Sequence, residues 1–383
     1  MKKYSLGVLQ SYPTQFDGPL YRFLSSHPDI ELQVYYSRPG ARANTYDLEL
    51  GRETGWDNGV TEGYPVTICG RGFGGRVRFV RKITSSRHDL LIFCGYFPYF
   101  HLALSVLARI FGICTGLRSD NVFLYRKGST LKWRLKDILC PLIFRLYKTG
   151  HPVGSLAKAY FMEYGFGEDR LFLFPYSVDH EFLVSIAQNE AQTSELRRKL
   201  GLKREDFVIL GVMKFVPRED PLTLFQSFAK VVHRHEKAHL VVVGDGELRG
   251  QIEEFIRSHN LKRVHLPGYA SYTQLGAYYG IANVFVHPAK HESWGVSVNE
   301  AMACGVPVIV ADTVGAGYDL VEPGKAGFVF RAGIPEELAD CIIRLATSRE
   351  TPGFSSQVEN RIHQWSFQQT ARHLLTALEF VSR

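Results

Sequence analysis

Glu292 and Glu300 stand eight positions apart within residues 291–311, HESWGVSVNEAMACGVPVIVA. A Ser-Trp-Gly-Val turn separates them, Pro288 precedes the stretch, and the apolar run 306–310 lies within its end. This pattern predicts a loop carboxylate, a helix opened by Gly295, and a second carboxylate inside that helix. Free amides at a helix start attract phosphate oxygens, and carboxylates accept hydrogen bonds from sugar hydroxyls. The set suits a ligand with an anionic diphosphate between two hydroxylated rings, such as a nucleotide sugar.

The elements that must position these residues read as two α/β series. In the first half, strands are expected over 4–9, 30–36, 90–93 and 171–174, with helices near 17–25 and 100–111. Residues 37–87 read as irregular and rich in Gly and Arg, a place for long loops. After Asp179 the composition turns polar, giving a linker and a charged helix. Strands then follow over 207–212, 240–243, 264–266, 284–287 and 306–310, alternating with helices. Short apolar runs alternating with helices indicate a doubly wound parallel sheet, whose ligands bind at the carboxyl ends of its strands. Lys214, Gly244, Gly268, the Glu292 loop and Asp312 all fall just after strands, so they should converge on one edge.

A length of 383 residues, 45% hydrophobic and 22% charged, allows two domains with ordinary cores. The formal net charge is +7. Its basic residues gather in the first half, at Arg71, Arg76, Arg78, Arg81, Lys82 and Arg87, then Arg126, Lys127, Lys132, Arg134 and Lys136. This asymmetry suits an anionic substrate or an anionic lipid surface, though a solvated basic face would look the same. No nucleic-acid-binding signature accompanies it, so no nucleic-acid partner is expected. Six scattered cysteines form no Cys-x-x-Cys and lack His at metal-ligand spacing, as in a reduced cytoplasmic protein without a bound metal. Residues 90–116 are apolar but interrupted by Pro98, His101 and Arg109, which argues against a membrane span. Residues 131–148, LKWRLKDILCPLIFRLYK, mix apolar and basic residues with Trp. They could touch a membrane peripherally, at the inner face, or pack on their own domain.

Ordered segments from Val208 to Phe330 together resemble the retaining glycosyltransferases of family 4, which have the GT-B fold. They are LGVMKFVPREDPLTLFQSF, VVGDGELR, PGYASYTQLGAYYGIANVFVHP, HESWGVSVNEAMACGVPVIV and DTVGAGYDLVEPGKAGFVF. The resemblance implies two doubly wound Rossmann-like domains facing a central cleft. Residues 1–179 would bind acceptor, 180–366 would bind donor, and a helix over 367–383 would cross back to the first domain. The implied reaction transfers a sugar from a nucleoside diphosphate sugar, UDP- or GDP-linked, to the hydroxyl of a sugar, lipid-linked or small-molecule acceptor. Anomeric configuration is retained, and no cofactor or metal is needed.

Carried over residue by residue, Glu300 would bind the ribose hydroxyls and Glu292 the donor sugar near the reacting carbon. Amides around Gly295, Val296 and Ser297 would meet the diphosphate. Lys214 would stabilise the leaving nucleoside diphosphate. The family's second cation falls at Glu219 here, so either the neighbouring Arg218 compensates or the clamp is weaker. Gly244-Asp245-Gly246 lets backbone approach the nucleotide or simply makes a tight turn. Gly268-Tyr269 lies where the family lines the base pocket. In the first half, His101 falls where relatives face the donor sugar, although an isolated His beside an apolar helix also reads as core. Gly18, Arg118 and Asp120 are acceptor-side candidates, with Asp17 explained equally well as a helix cap. Residues 70–75, GRGFGG, match Gly-x-Gly-x-x-Gly but sit mid-domain. They read as a flexible loop whose Arg71 meets an acceptor phosphate rather than as a dehydrogenase fingerprint. Two rival readings remain: a sugar-nucleotide epimerase or phosphorylase of the same architecture, and a catalytically silent nucleotide-sugar-binding subunit.

Overall fold

A computed structural model describes residues 3–38, 44–47, 49, 52–55, 59–96, 99–126, 128, 130–347 and 351–383. Pro98 and Lys127, named above, lie outside these residues, as does the side chain of Lys132. The chain forms two compact units. One comprises Met1–Ala43, Gly59–Ser177 and Trp365–Arg383; the other comprises Asn44–Asn58 and Val178–Gln364.

The first unit holds a sheet of β1 (Tyr4–Gln10), β2 (Ile30–Tyr36), β5 (Val66–Ile68), β6 (Leu90–Cys94), β7 (Thr115–Ser119) and β8 (Thr149–Pro152). Its order is β5-β2-β1-β6-β7-β8 and every pairing is parallel. A parallel sheet covered on both faces needs near-continuous apolar strands, and Leu90–Phe93 are wholly buried. One face packs on helix Asp17–Ser26 and helix Phe367–Ser382, joining Leu20 and Leu24 to Leu374 and Leu378. The other packs on helices Gly72–Ser85, Tyr99–Ile110, Leu131–Phe144 and Ser155–Glu163 through Phe79, Leu104, Phe144 and Phe161.

The second unit repeats this plan with β9 (Phe207–Val212), β10 (Ala238–Val243), β11 (Val264–Gly268), β12 (Val284–His287), β13 (Val308–Ala311) and β14 (Gly327–Phe330). The order is β11-β10-β9-β12-β13-β14, again parallel throughout. Both sheets have the doubly wound order in which the winding direction reverses beside the first strand, and such reversals open a crevice at the strands' carboxyl ends. A short antiparallel hairpin, β3 (Asn44–Asp47) and β4 (Arg52–Gly55), belongs to this unit although it arises early in the chain.

Three sequence expectations need correction. Residues 70–75 are not a flexible loop: Arg71 immediately precedes helix Gly72–Ser85, whose Phe79 and Ile83 are buried. Gly70 and Gly75 are required for contact, because a Cβ on Gly75 would come within 2.5 Å of the Gly70 backbone. The density of glycines hid the helical period. Residues 171–174 do not form a strand; only alternate amides pair, Phe172 N donating to Gly150 O and Phe174 N to Pro152 O. The polar stretch after Asp179 forms two helices: His180–Ala187, where a linker was expected, and the expected charged helix, Glu190–Lys199. Asp179 caps the first by accepting from Phe182 N at 3.1 Å. That helix lies so close to helix Tyr272–Ile281 that a Cβ on Gly276 would sit 2.6 Å from Ile186.

Candidate functional site

In the second unit, chemistry gathers between the ends of β9 and β12. Gly295 precedes helix Val296–Ala303 with φ 100°, a left-handed conformation that favours glycine. The turn swings the chain so that Val296 and Ser297, half-buried, begin the helix. The loop before it is clamped from below: Gly315 N donates to Glu292 O at 3.0 Å, and Ala316 N to Trp294 O at 2.8 Å. Trp294 is buried and its indole N–H donates to Asn299 Oδ1 at 2.8 Å, tying the loop to its own helix. Gly315 must be glycine because a Cβ there would strike the Ser293 carbonyl.

The two glutamates differ sharply. Glu300 is only 3% exposed and accepts from Tyr279 OH at 2.7 Å. Burial pushes its carboxyl up to about 7. Glu292 is half-buried, accepts from Trp294 N at 3.3 Å and lies 3.5 Å from Arg218 Nη1. Burial raises it as well, against the pull of that backbone bond and of Arg218. Beneath Gly295 lies His287, fully enclosed, with neither ring nitrogen hydrogen-bonded. Burial holds it neutral by lowering its pKa to about 4.

Lys214 and Arg218 follow β9 and face a shared carboxylate, Glu49 of the hairpin turn. Glu49 Oε2 accepts from Lys214 Nζ at 2.7 Å, and both its oxygens accept from Arg218 at 3.0 Å. The Arg218 bonds, with those of Lys214, hold the Glu49 carboxyl down at about 2. Glu219, the departure from the expected second cation, is buried. Its Oε2 accepts from the Lys214 backbone amide at 2.7 Å and its Oε1 pairs with Arg218 at 2.9 Å. Burial lifts it to about 7, partly offset by Arg218. Glu219 therefore fixes the bend that presents Lys214 and orients Arg218. Arg218 touches three carboxylates, Glu49, Glu219 and Glu292, and the first of these keeps it firmly charged.

The remaining candidates line the same edge. Gly244 and Gly246 take φ 147° and 152°, and a Cβ on either would meet backbone carbonyls of Met213 or Phe215. The turn itself thus demands both glycines. Gly268 has φ 83° with open space where a side chain would go, and Tyr269 beside it is half-buried.

The first unit has its own pocket of about 300 Å³ at the ends of β1, β6 and β7, lined among others by Gln10, Asp17, Gly95, Arg118, Asp120 and Tyr176. Arg118 is buried and fully engaged: it pairs with Asp17 Oδ1 at 3.0 Å and donates to Phe174 O and Pro175 O. Burial opposes its charge, but Asp17 more than restores it. Asp17 also accepts from Gln10 Nε2 and Thr14 Oγ1, both at 2.7 Å. It is therefore the pocket's buried anion rather than a helix cap, a role the sequence did not reveal. Asp120 accepts from Tyr176 OH at 3.2 Å and lines the pocket. Gly18 lies against Val60, whose carbonyl a Cβ would meet at 2.9 Å, so its smallness serves packing. His101 is wholly buried, with Nε2 2.8 Å from Ser37 Oγ and Nδ1 3.2 Å from Gly95 O. Among the described residues it does not line the pocket; it shapes the Gly95 turn that does. Arg71 is exposed at its helix start, away from this pocket's lining. Asp89, the acid that a dinucleotide fingerprint would need, accepts from Ser5 N at the amino end of β1. That end of the sheet is opposite the ligand edge.

Two Rossmann-like units of this order define the GT-B architecture, and solved GT-B proteins superpose on nearly the whole chain. A glycosyltransferase from Rickettsia africae aligns with TM-score 0.75 at 14% identity, covering 100% of both chains. The Anabaena protein HepE, solved with UDP and glucose, aligns with TM-score 0.70 at 16% identity, covering 98% of this chain and 99% of its own. At such identities the likeness concerns fold. Residues 192–358 match the family model of glycosyl transferases group 1. In sequence, the alpha-monoglucosyldiacylglycerol synthase of Acholeplasma laidlawii is 28% identical over 168 residues, 43% of this chain and 41% of that protein. The match thus spans about two fifths of that relative's length.

Proposed function

We propose that this protein is a retaining glycosyltransferase that moves a sugar from a nucleoside diphosphate sugar to an acceptor hydroxyl. The observation that carries the reading is the grouping of Glu292, Glu300, the Val296 helix start and the Lys214/Arg218 pair at one sheet edge of the second unit. Glu300 accepts from the ribose and Glu292 from the donor sugar. The helix amides and Lys214 stabilise charge developing on the diphosphate, the main electrostatic demand of the reaction. The bond between the anomeric carbon and the β-phosphate oxygen breaks, a bond to the acceptor oxygen forms on the same face, and the acceptor's proton passes to the leaving phosphate. Arg218 supplies the second cation that Glu219 cannot. Glu49 occupies both cations as a carboxylate stand-in, so the diphosphate must displace it.

The donor is read as a UDP- or GDP-sugar, without a metal. The first unit's polar pocket takes the acceptor, a sugar, lipid-linked or small hydroxylated molecule, with Asp120 and Tyr176 at its wall. We read the reaction as cytoplasmic, a reading supported by the scattered cysteines of the sequence. A thermal-shift panel of UDP-, GDP- and dTDP-sugars tests the reading. A donor at a hundred times its Kd stabilises the chain by about 2.7 kcal/mol. No shift with any member of the panel would remove the proposal's foundation.

A further inference from the structure

The two units bury similar cores but present different surfaces. Among the described residues, eleven of sixteen exposed large apolar side chains lie on or just after three helices of the first unit, Gly72–Ser85, Tyr99–Ile110 and Leu131–Phe144. The second unit exposes two, Tyr318 and Val329. The three helices cover one face of the first sheet together, since Phe79, Leu104 and Phe144 share a core cluster. Their outward side chains therefore form one surface. Phe73 is 85% exposed, Tyr99 78%, Leu131 75% and Ile110 73%. An apolar patch of this extent marks an interaction site rather than ordinary surface.

Charge narrows the partner. The same three helices carry eight Lys and Arg against a single acid, Asp137, which is paired with Arg126 at 2.7 Å. A symmetric contact with a second copy would set those cations against themselves. A surface of anionic lipid head groups over hydrocarbon satisfies both features: apolar tips enter the acyl boundary while Lys and Arg stay at head-group depth. An apolar groove of about 470 Å³, walled by Leu131, Leu135, Leu139 and Ile143 with Lys136 at its margin, adds a slot for part of a lipid chain. Phe73, Tyr99 and Leu131 stand at the helix starts, the edge on which the polar pocket also opens. Gly95 lines that pocket and Tyr96 the groove.

We infer that the face formed by helices Gly72–Ser85, Tyr99–Ile110 and Leu131–Phe144 docks on a bilayer rich in anionic phospholipid. The inference is independent of the transfer reaction. The test is sedimentation of the full chain, without donor, against vesicles of phosphatidylglycerol with phosphatidylcholine and of phosphatidylcholine alone. Binding at least tenfold stronger to the anionic vesicles, weakened by high salt, is expected. Leu131→Ser with Ile138→Ser, and separately Arg76→Glu with Arg78→Glu, should each weaken it about tenfold, leaving thermal melting and donor-induced stabilisation unchanged. Equal binding to both vesicles, absent sedimentation, unaffected variants, or a lipid-free dimer dissolved by the same substitutions would overturn it.

Discussion

The two ligand edges of this chain are built from the same sheet order but by opposite means. In the second unit, Glu292, Gly295, Val296, Ser297 and Glu300 come from nine consecutive residues, and Lys214, Arg218 and Glu219 from six. Lys214, Arg218 and Glu292 are partly exposed there, whereas Glu219 and Glu300 are buried. In the first unit, the pocket rests on Gln10, Asp17, Arg118 and Tyr176, far apart in sequence and mostly buried. There the charges are spent on one another: Asp17 takes Gln10, Thr14 and Arg118, while Arg118 also holds the 174–175 carbonyls. The contrast separates ion pairs sealed inside the fold from partly exposed ion pairs that a ligand reaches by displacing a partner.

The largest expected effect follows from that contrast. Arg118→Ala strands a buried Asp17 carboxylate and should destabilise the protein by about 3–5 kcal/mol, measured by chemical denaturation. If stability held and only transfer fell, the first unit's pair would be functional and the contrast would fail. Lys214→Ala should behave in the opposite way. It should slow transfer about 10²–10³-fold through lost stabilisation of the leaving group, with melting nearly unchanged; steady-state rates on the donor found by the panel provide the check.

Glu300 sharpens the comparison through pH. Its folded pKa of about 7 lies above the ordinary 4.5, so the folded state keeps a proton that the unfolded state releases between those values. Stability should therefore fall as pH rises from about 4.5 to 7 and level off above, a contribution on the order of 3 kcal/mol. Glu219 adds a parallel contribution over the same window, since its folded value is also about 7. Glu300→Gln should flatten the part due to Glu300, and melting curves across this range would show an unchanged slope if burial did not govern it. The smallest effect concerns Glu49. Its half-exposed pairs with Lys214 and Arg218 are worth at most about 1 kcal/mol, so Glu49→Gln should tighten donor binding by up to about fivefold. Weaker binding on titration would mean that Glu49 helps hold the donor rather than competing with it.

The same contrast explains what was legible in the sequence. Alternating apolar runs revealed most of the second sheet but only part of the first, and the glutamate helix was readable because its carboxylates, turn glycine and following strand are contiguous. The helix over 72–85 was hidden by glycines, of which Gly70 and Gly75 exist for the contact between them. The Asp17–Arg118 pair spans 101 positions, and no local pattern links such residues. Glu49 reaches Lys214 across 165 positions, through a hairpin that belongs to the second unit. His287 and Gly315 support the site from beneath, and each is an ordinary residue at a strand end or turn when read alone. Local chemistry could be read from spacing; long-range pairing required the fold.

The central claim is that the second unit's edge binds the donor. Calorimetric titration of the best donor from the panel into wild type, Glu300→Gln and Asp120→Asn compares the two edges directly. The account predicts that Glu300→Gln weakens donor binding by about tenfold, the loss of one charge-assisted hydrogen bond, while Asp120→Asn leaves it unchanged. Weakening by Asp120→Asn alone would contradict it.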